Sequence, residues 1–235
     1  MSVVYIQKKV NDGGSGGFYA AMKEAFNRGY DWLWLMDDDG LPDRKELKEL
    51  YNKSVEYHLQ YANALVLDIK DPTHFSFGLS KGRLVYTVED AKKKPVIEDV
   101  ANPFNGTFVS REVIEKIGFI KKEMFIWGDE IEYFLRTKKN RFKIATVPSA
   151  VHLHPKSVNK NNYISFYNWK VPDVFGTRFI CVHRNKGYIY SRYYGICGII
   201  KYLIANTAIY VCNFQFKKWL LFIKYYFEGV FNYYK

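Results

Sequence analysis

The sequence has few cysteines, no apolar leader and no long uncharged hydrophobic run. Three cysteines, an odd number without metal-ligand spacing, exclude a disulfide framework and indicate reduced thiols in a cytoplasmic protein. Residues 2–9 lack the apolar stretch of a signal peptide. Residues 202–216 are uncharged, but this stretch is shorter than the roughly 20 residues that a membrane-spanning helix needs. We therefore expect neither a secretion signal nor a spanning helix.

Acidic residues are outnumbered, with 24 Asp and Glu against 35 Lys and Arg, and the net charge is +11. This balance predicts an anionic partner: a nucleotide diphosphate, an anionic lipid or a nucleic acid. Because no nucleic-acid recognition motif accompanies the charge, we expect no nucleic-acid partner. Hydrophobic residues make up 48% of the 235 residues, which predicts a folded domain with an appendage.

The pattern of elements alternates between strands and helices. Residues 3–6 and Trp32–Met36 have the composition of strands, and a helix is predicted to begin at Phe18 after a glycine-rich loop. Residues 142–147 return as a strand that Pro148 is expected to close. This order predicts an α/β fold with a mixed, mainly parallel sheet flanked by helices.

Three adjacent carboxylates, Asp37, Asp38 and Asp39, follow the apolar strand Trp32–Met36. Their mutual repulsion costs free energy unless a cation offsets it, and carboxylate oxygens suit Mg²⁺ or Mn²⁺. In open α/β sheets, ligands bind beyond the carboxyl ends of strands, where this cluster lies. The alternative is an acidic turn that caps the following helix, although Asp43 already suits that cap.

A second acidic pair, Asp129 and Glu130, follows Trp127 and Gly128 and opens a predicted helix. Carboxylates in a first helical turn are favoured by the helix dipole, which is a sufficient structural explanation. The functional alternative is a general base that takes a proton from an acceptor hydroxyl. Trp127 then offers an aromatic face on which a sugar can stack.

Two histidines and a glycine-rich loop complete the candidate site. His152 and His154 point to the same side of an extended segment, so one of them can complete an octahedral site with the aspartates. The loop with Gly13, Gly14, Gly16 and Gly17 precedes a helix, so that its N–H groups can face phosphate. It lacks the sequence of a phosphate-binding P-loop and the spacing of a dinucleotide site, and a tight turn explains it equally well.

Together, these motifs resemble the family-two glycosyltransferases of the GT-A fold. The nearest likeness is to bacterial galactofuranosyltransferases and rhamnosyltransferases that build capsules, O-antigens or cell walls. The resemblance covers about residues 3–195. Its matching segments are residues 11–18, 31–39 with Pro42, 105–111, 125–133 with Arg136, then His154 and the pair Arg184 and Asn185.

The resemblance implies an inverting transfer of a sugar from a UDP- or dTDP-linked donor to a glycan or polyprenyl-linked acceptor, supported by Mn²⁺ or Mg²⁺. It also implies which residues take part. The metal ligands would be Asp37, Asp39 and His154, with His152 the weaker candidate, and the base would be Asp129 or Glu130. The donor would be bound by Gly13, Gly14, Gly16, Gly17, Asp37 and Asp38. The acceptor would be bound by Trp127, Asn105 and Gly106.

The resemblance also predicts the domain organisation. Residues 1–157 match the catalytic domain, but the first nucleotide-binding strands of the family find no counterpart, so we expect an N-terminally short domain. Residues 158–235 are expected to form a helical extension in which basic and aromatic residues alternate. Such a surface suits the inner face of the cell membrane, and packing against a second subunit is the alternative.

Two other classes of function fit parts of the sequence. A metal-dependent nucleotidyltransferase or phosphohydrolase would use the same aspartates, but no Lys or Arg lies within residues 37–42 to bind phosphate. A degenerate transferase that only binds glycan or nucleotide fits the short N-terminus. The presence of Asp37, Asp39, Asp129 and His154 argues against that second class.

Overall fold

Helices and short strands alternate along the chain, which a computed structural model describes over residues 3–156 and 163–234. These residues divide into two compact units. The first unit comprises residues 3–7, 18–120 and 133–156, and the second comprises residues 8–17, 121–132 and 163–234. The predicted boundary at residue 157 lies outside the described residues.

The elements follow one another in this order: α1 (Gly13–Asn27), β1 (Trp32–Met36), β2 (Leu41–Pro42), α2 (Glu46–Tyr57), β3 (Tyr61–Asp68), β4 (Ser80–Lys81), β5 (Leu84–Val85), α3 (Val88–Lys92), β6 (Ile97–Glu98), β7 (Asn105–Ser110), α4 (Arg111–Ile117), α5 (Asp129–Lys139), β8 (Ile144–His154), β9 (Tyr163–Phe166), β10 (Trp169–Pro172), α6 (Gly176–Ile189), α7 (Gly195–Cys212) and α8 (Phe216–Val230). A 3₁₀ turn spans Lys122–Met124, and the π-helical segment Tyr190–Tyr194 joins α6 to α7.

The first unit is built on a six-stranded sheet in the order β1-β7-β3-β8-β2, with β6 also paired to β8. The predicted α/β class and the mixed sheet are confirmed, although most neighbouring strands of this sheet are antiparallel. Among the described strands of this sheet, β3 and β8 form the one parallel pair; β7 is antiparallel to both β1 and β3, and β2 and β6 are antiparallel to β8. The strands β1, β3 and β8 therefore do share one direction, as expected, although β7 separates the first two.

Successive side chains of β1 point to opposite faces of the sheet, so this strand contributes to the core of the first unit on both faces. Leu33 and Leu35 are buried on one face with residues of α1, α4 and α5. Trp32 and Trp34 lie on the opposite face, where the Trp32 ring stacks on Phe108 with centroids 4.5 Å apart. Each fully buried leucine contributes about 1.5–3 kcal/mol. This burial fixes the strand that leads into the aspartates.

Three local expectations were wrong. Residues 3–6 do not form a strand, α1 begins at Gly13 rather than Phe18, and β8 continues through Pro148 to His154. Glycines were expected to form a loop because they disfavour helices by about 1 kcal/mol each. Here they start the helix, and the first of them lies where a side chain has no room: a Cβ on Gly13 would lie 2.1 Å from the Phe125 carbonyl oxygen.

The second unit contains the hairpin of β9 and β10 and the three helices α6, α7 and α8. The segment Gly176–Cys212 includes a window with a mean hydropathy of 1.5, of which 17% is buried. By length and composition alone this segment is long and apolar enough to cross a membrane, a property that core helices of soluble proteins share. The predicted C-terminal helical region with mixed aromatic and basic residues is present.

Candidate functional site

The aspartate cluster lies on the turn between β1 and β2, in the first unit. β2 pairs antiparallel with β8, with Leu41 opposite Leu153 and Pro42 opposite His152. This register carries the preceding turn toward the end of β8. Ligand atoms of Asp37, Asp39 and His154 consequently all lie within 4.8 Å of one another.

The tautomer of His154 follows from its hydrogen bond. Its Nδ1 lies 2.7 Å from the carbonyl oxygen of Pro155, which can only accept, so that Nδ1 carries the proton. The other ring nitrogen, Nε2, faces the aspartates and lies 3.0 Å from Oδ1 of Asp39. A histidine held in this way through its second nitrogen is typical of metal ligands. Two carboxylates and one imidazole fit Mn²⁺ or Mg²⁺.

His152 is placed differently, although it lies only two residues away. It is fully buried, and its Nδ1 lies 3.1 Å from Oε2 of Glu46, which is also fully buried. Gly106 has a positive φ of 68°, and a Cβ there would lie 2.2 Å from Oε1 of Glu46. His152 and Gly106 therefore pack in the interior around Glu46. Asp38 is exposed and lies outside the cluster of three.

The acidic pair follows a strained loop in the second unit. Phe125 and Trp127 have positive φ angles of 66° and 63°, and Gly128 has a φ of 105°. Asp129 is 5% exposed, and Glu130 is half-buried. The backbone N–H of Gly128 donates to Oε2 of Glu130 over 3.1 Å. The chain reversal at Gly128 therefore sets both carboxyl groups at the start of α5.

Burial, together with the hydrogen bond and charge of Asp129, raises the pKa of Glu130 to about 8. Lys186 on α6 is a neighbour that the sequence did not indicate, since 56 residues separate it from Glu130. Burial lowers the pKa of Lys186, and the charge of Glu130 opposes this effect. A carboxyl that retains its proton near neutral pH and a half-buried amine are thus close in space.

The glycine-rich segment forms the first turn of α1, and its beginning lies in the second unit. The Asn11 side chain accepts from the N–H of Gly13 over 3.0 Å, and the N–H of Ser15 donates to the Phe125 carbonyl over 3.1 Å. The N–H of Ser15 is therefore used within the protein. Gly14 and Gly17 have open space where a Cβ would be.

The expected acceptor residues lie in both units. Asn105 begins β7 and is 7% exposed, and its Nδ2 donates to the Pro103 carbonyl over 3.1 Å. Trp127 is partly buried against the core of the second unit, with the Arg178 guanidinium 5.6 Å from the ring centroid. One ring face of Trp127 is therefore occupied by a cation.

No model of a protein family matches the chain. Curated relatives do match. The chain is 31% identical over 199 residues to galactofuranosyltransferase GlfT1 of Mycobacterium tuberculosis (strain H37Rv), covering 82% of this chain and 65% of the relative. The protein of the same name from Mycolicibacterium smegmatis is 28% identical over 198 residues, covering 80% and 65%. The predicted resemblance to glycosyltransferases is confirmed. The chain spans 65% of the length of the curated relatives it matches.

Among solved structures, the chain is similar to GalNAc-T7 crystallised with UDP, GalNAc and Mn²⁺. The TM-score is 0.48 at 13% identity, over 80% of this chain and 39% of that one. Staphylococcus aureus TarS, residues 1–349, matches with a TM-score of 0.43 at 9% identity, over 95% and 74%.

Proposed function

We propose that this chain is the catalytic part of a metal-dependent, inverting glycosyltransferase that acts in bacterial surface polysaccharide synthesis. The observation that carries the proposal is the cluster of Asp37, Asp39 and His154, whose ligand atoms lie within 4.8 Å of one another. The names of the relatives favour galactofuranose as the transferred sugar, and the first donor that we propose is UDP-galactofuranose. A dTDP-rhamnose donor is the second option.

In this proposal the protein supplies the base and the binding surfaces. The carboxylate of Glu130 or Asp129 takes the proton from an acceptor hydroxyl, and the oxygen of that hydroxyl forms a bond to the anomeric carbon. The bond from that carbon to the nucleotide diphosphate breaks, and the electron pair leaves with the diphosphate. A bound Mn²⁺ or Mg²⁺ would offset the charge on that leaving group. A single displacement inverts the anomeric configuration.

Donor and acceptor are assigned to residues by the same proposal. Asp38 and the open backbone at Gly14 and Gly17 would contact the donor, together with Gly13 and Gly16. Trp127 and Asn105 would contact a glycan or polyprenyl-linked acceptor. Gly106, the third residue that the sequence assigned to the acceptor, packs in the interior against Glu46 and His152, which are both buried.

Calorimetric titration tests the donor site. UDP and dTDP are titrated into the full chain with Mn²⁺ and then with EDTA, and transfer from UDP-galactofuranose to a lipid-linked glycan is followed by mass. Metal-dependent binding of UDP and a product heavier by one hexose residue support the proposal. Equal binding of UDP with Mn²⁺ and with EDTA, or none in either, contradicts it.

We also propose that the second unit holds the protein on the anionic inner face of the cell membrane. Residues 174–235 contain nine Lys and Arg and one acidic residue, Glu228. On α7, Ile196, Ile200 and Ile204 recur every fourth residue and are 47–67% exposed. Cations beside exposed apolar side chains favour the interface of an anionic bilayer.

Sedimentation with vesicles tests this location. The protein is expected to bind vesicles of phosphatidylcholine with one quarter phosphatidylglycerol, and not vesicles of phosphatidylcholine alone. Ile204→Asp is expected to weaken this binding, whereas Val85→Asp, at a 73% exposed position of the first unit, is the matched control. Equal binding by both variants, or equal binding to both vesicle types, contradicts the proposal.

A further inference from the structure

Asn185 on α6 holds the loop that precedes the acidic pair. It is fully buried, and its Nδ2 lies 2.9 Å from the Met124 carbonyl, 3.0 Å from that of Ile126 and 2.9 Å from that of Trp127. An amide nitrogen carries two protons, so the three carbonyls share them. The Tyr234 hydroxyl donates to Oδ1 of Asn185 over 3.3 Å, which fixes the orientation of the amide.

The loop needs such a partner because its backbone is strained. Phe125 and Trp127 both have positive φ angles, a conformation that costs on the order of 1–3 kcal/mol for each side-chain-bearing residue. Strain of this size persists only where surrounding contacts impose it. Gly128 follows directly, and a Cβ built on it would lie 3.6 Å from Cβ of Asn185. The same asparagine therefore borders the whole turn from residue 124 to residue 128.

The position of Asn185 is itself fixed by a close crossing of α6 and α8. A Cβ on Gly187 would lie 2.1 Å from the Tyr226 carbonyl oxygen, and one on Gly229 would lie 1.8 Å from that of Arg184. The two helices thus touch backbone to backbone at a pair of glycines. The C-terminal helix thereby holds the asparagine, which holds the loop.

We infer that Asn185 is a positioning residue for the acidic pair at the start of α5. Its amide binds three carbonyls of the loop, those of Met124, Ile126 and Trp127, so the direction in which Asp129 and Glu130 leave that loop depends on it. That these carboxyls act in glycosyl transfer rests on the proposed function. The role of Asn185 in holding the loop does not, and it can be measured without any substrate.

Asn185→Asp tests the inference, because it retains the size of the side chain and replaces the two amide protons with a carboxylate facing carbonyls. Hydrogen exchange by mass spectrometry is expected to speed up at least about tenfold in peptides covering residues 122–132 and to stay unchanged in peptides from β3. Asn206→Asp is the matched control, since Asn206 is also buried and donates to a backbone carbonyl, that of Tyr202. Exchange in residues 122–132 that equals the wild type, or that speeds up equally in Asn206→Asp, overturns the inference.

Two further measurements separate this inference from the proposed function. In Asn185→Asp, kcat for transfer is expected to fall at least about tenfold while the affinity for UDP with Mn²⁺ stays within about twofold. Tyr234→Phe leaves the Asn185 amide in place and removes the hydroxyl that donates to its Oδ1. It is expected to change both the exchange rate of residues 122–132 and kcat in the same direction but by less. This variant provides the test if Asn185→Asp does not fold. Fast loop exchange with unaltered kcat overturns the positioning role, whereas absence of transfer in the wild type counts against the proposed function alone.

Discussion

Replacing Glu130 with Gln should change how stability depends on pH. The folded protein holds the pKa of this carboxyl at about 8, against an ordinary value of 4.5. Between these two values the unfolded chain releases the proton and the folded chain retains it. Because the unfolded state then binds fewer protons, the stability of the wild type falls as pH rises through this window. Gln has the same shape and no proton to release.

The size of the effect follows from the two pKa values. One proton retained only by the folded state lowers the free energy of unfolding by about 1.4 kcal/mol per pH unit. From pH 6 to pH 7.5, with the curvature near pH 8 included, the loss amounts to about 2 kcal/mol. Glu130→Gln should therefore gain about 2 kcal/mol over the wild type across that interval.

Urea unfolding at pH 6, 6.75 and 7.5 measures this difference. Glu112→Gln, an identical substitution at an exposed position of α4, provides the matched comparison. Subtracting the wild-type curve from each variant removes every titration that the proteins share. A difference between Glu130→Gln and the wild type that stays constant from pH 6 to pH 7.5 would refute the reasoning, because the folded state would then not hold the proton.

Three other perturbations give sharp outcomes. Asp39→Ala removes a carboxylate from the cluster of Asp37, Asp39 and His154. Loss of a residue that only supports a metal ligand typically lowers metal affinity roughly 10–100-fold, so the Mn²⁺-dependent affinity for UDP should fall by more than that when a ligand itself is lost. Calorimetry that finds the wild-type affinity would exclude Asp39 as a ligand. Gly187→Ala should lower the free energy of unfolding by about 1–3 kcal/mol, because the new Cβ would lie 2.1 Å from a backbone oxygen of α8, while Gly78→Ala, which has open space, should not. If Glu130 is the base, kcat/KM should rise about tenfold per pH unit up to about pH 8, and Glu130→Gln should abolish transfer. A rate that is flat over that range would exclude Glu130 as the base.

Periodicity predicted β1, α1 and β8, although not all of their bounds and not all of their neighbours. The strands β1, β3 and β8 share one direction, as the alternation with helices predicts. That β7 lies antiparallel between β1 and β3 depends on pairing across more than 40 residues, and no local pattern encodes it. The helical start at Gly13 was missed for a similar reason. Gly13 makes room there for Phe125, which is distant in sequence.

The sequence pattern alone could not decide which of the two histidines lies beside the aspartates, because strand register decides it. His152 and His154 lie on one side of β8, but two residues along a strand separate them by roughly 6.8 Å, so that only one can reach the aspartate turn. The pairing of Pro42 with His152 places that turn beside His154 and leaves His152 above the buried Glu46. A slip of two residues in this pairing would exchange the histidines. His154 would then face the buried Glu46, and His152 would face Asp39. The close packing of Gly106 against both Glu46 and His152 opposes that slip.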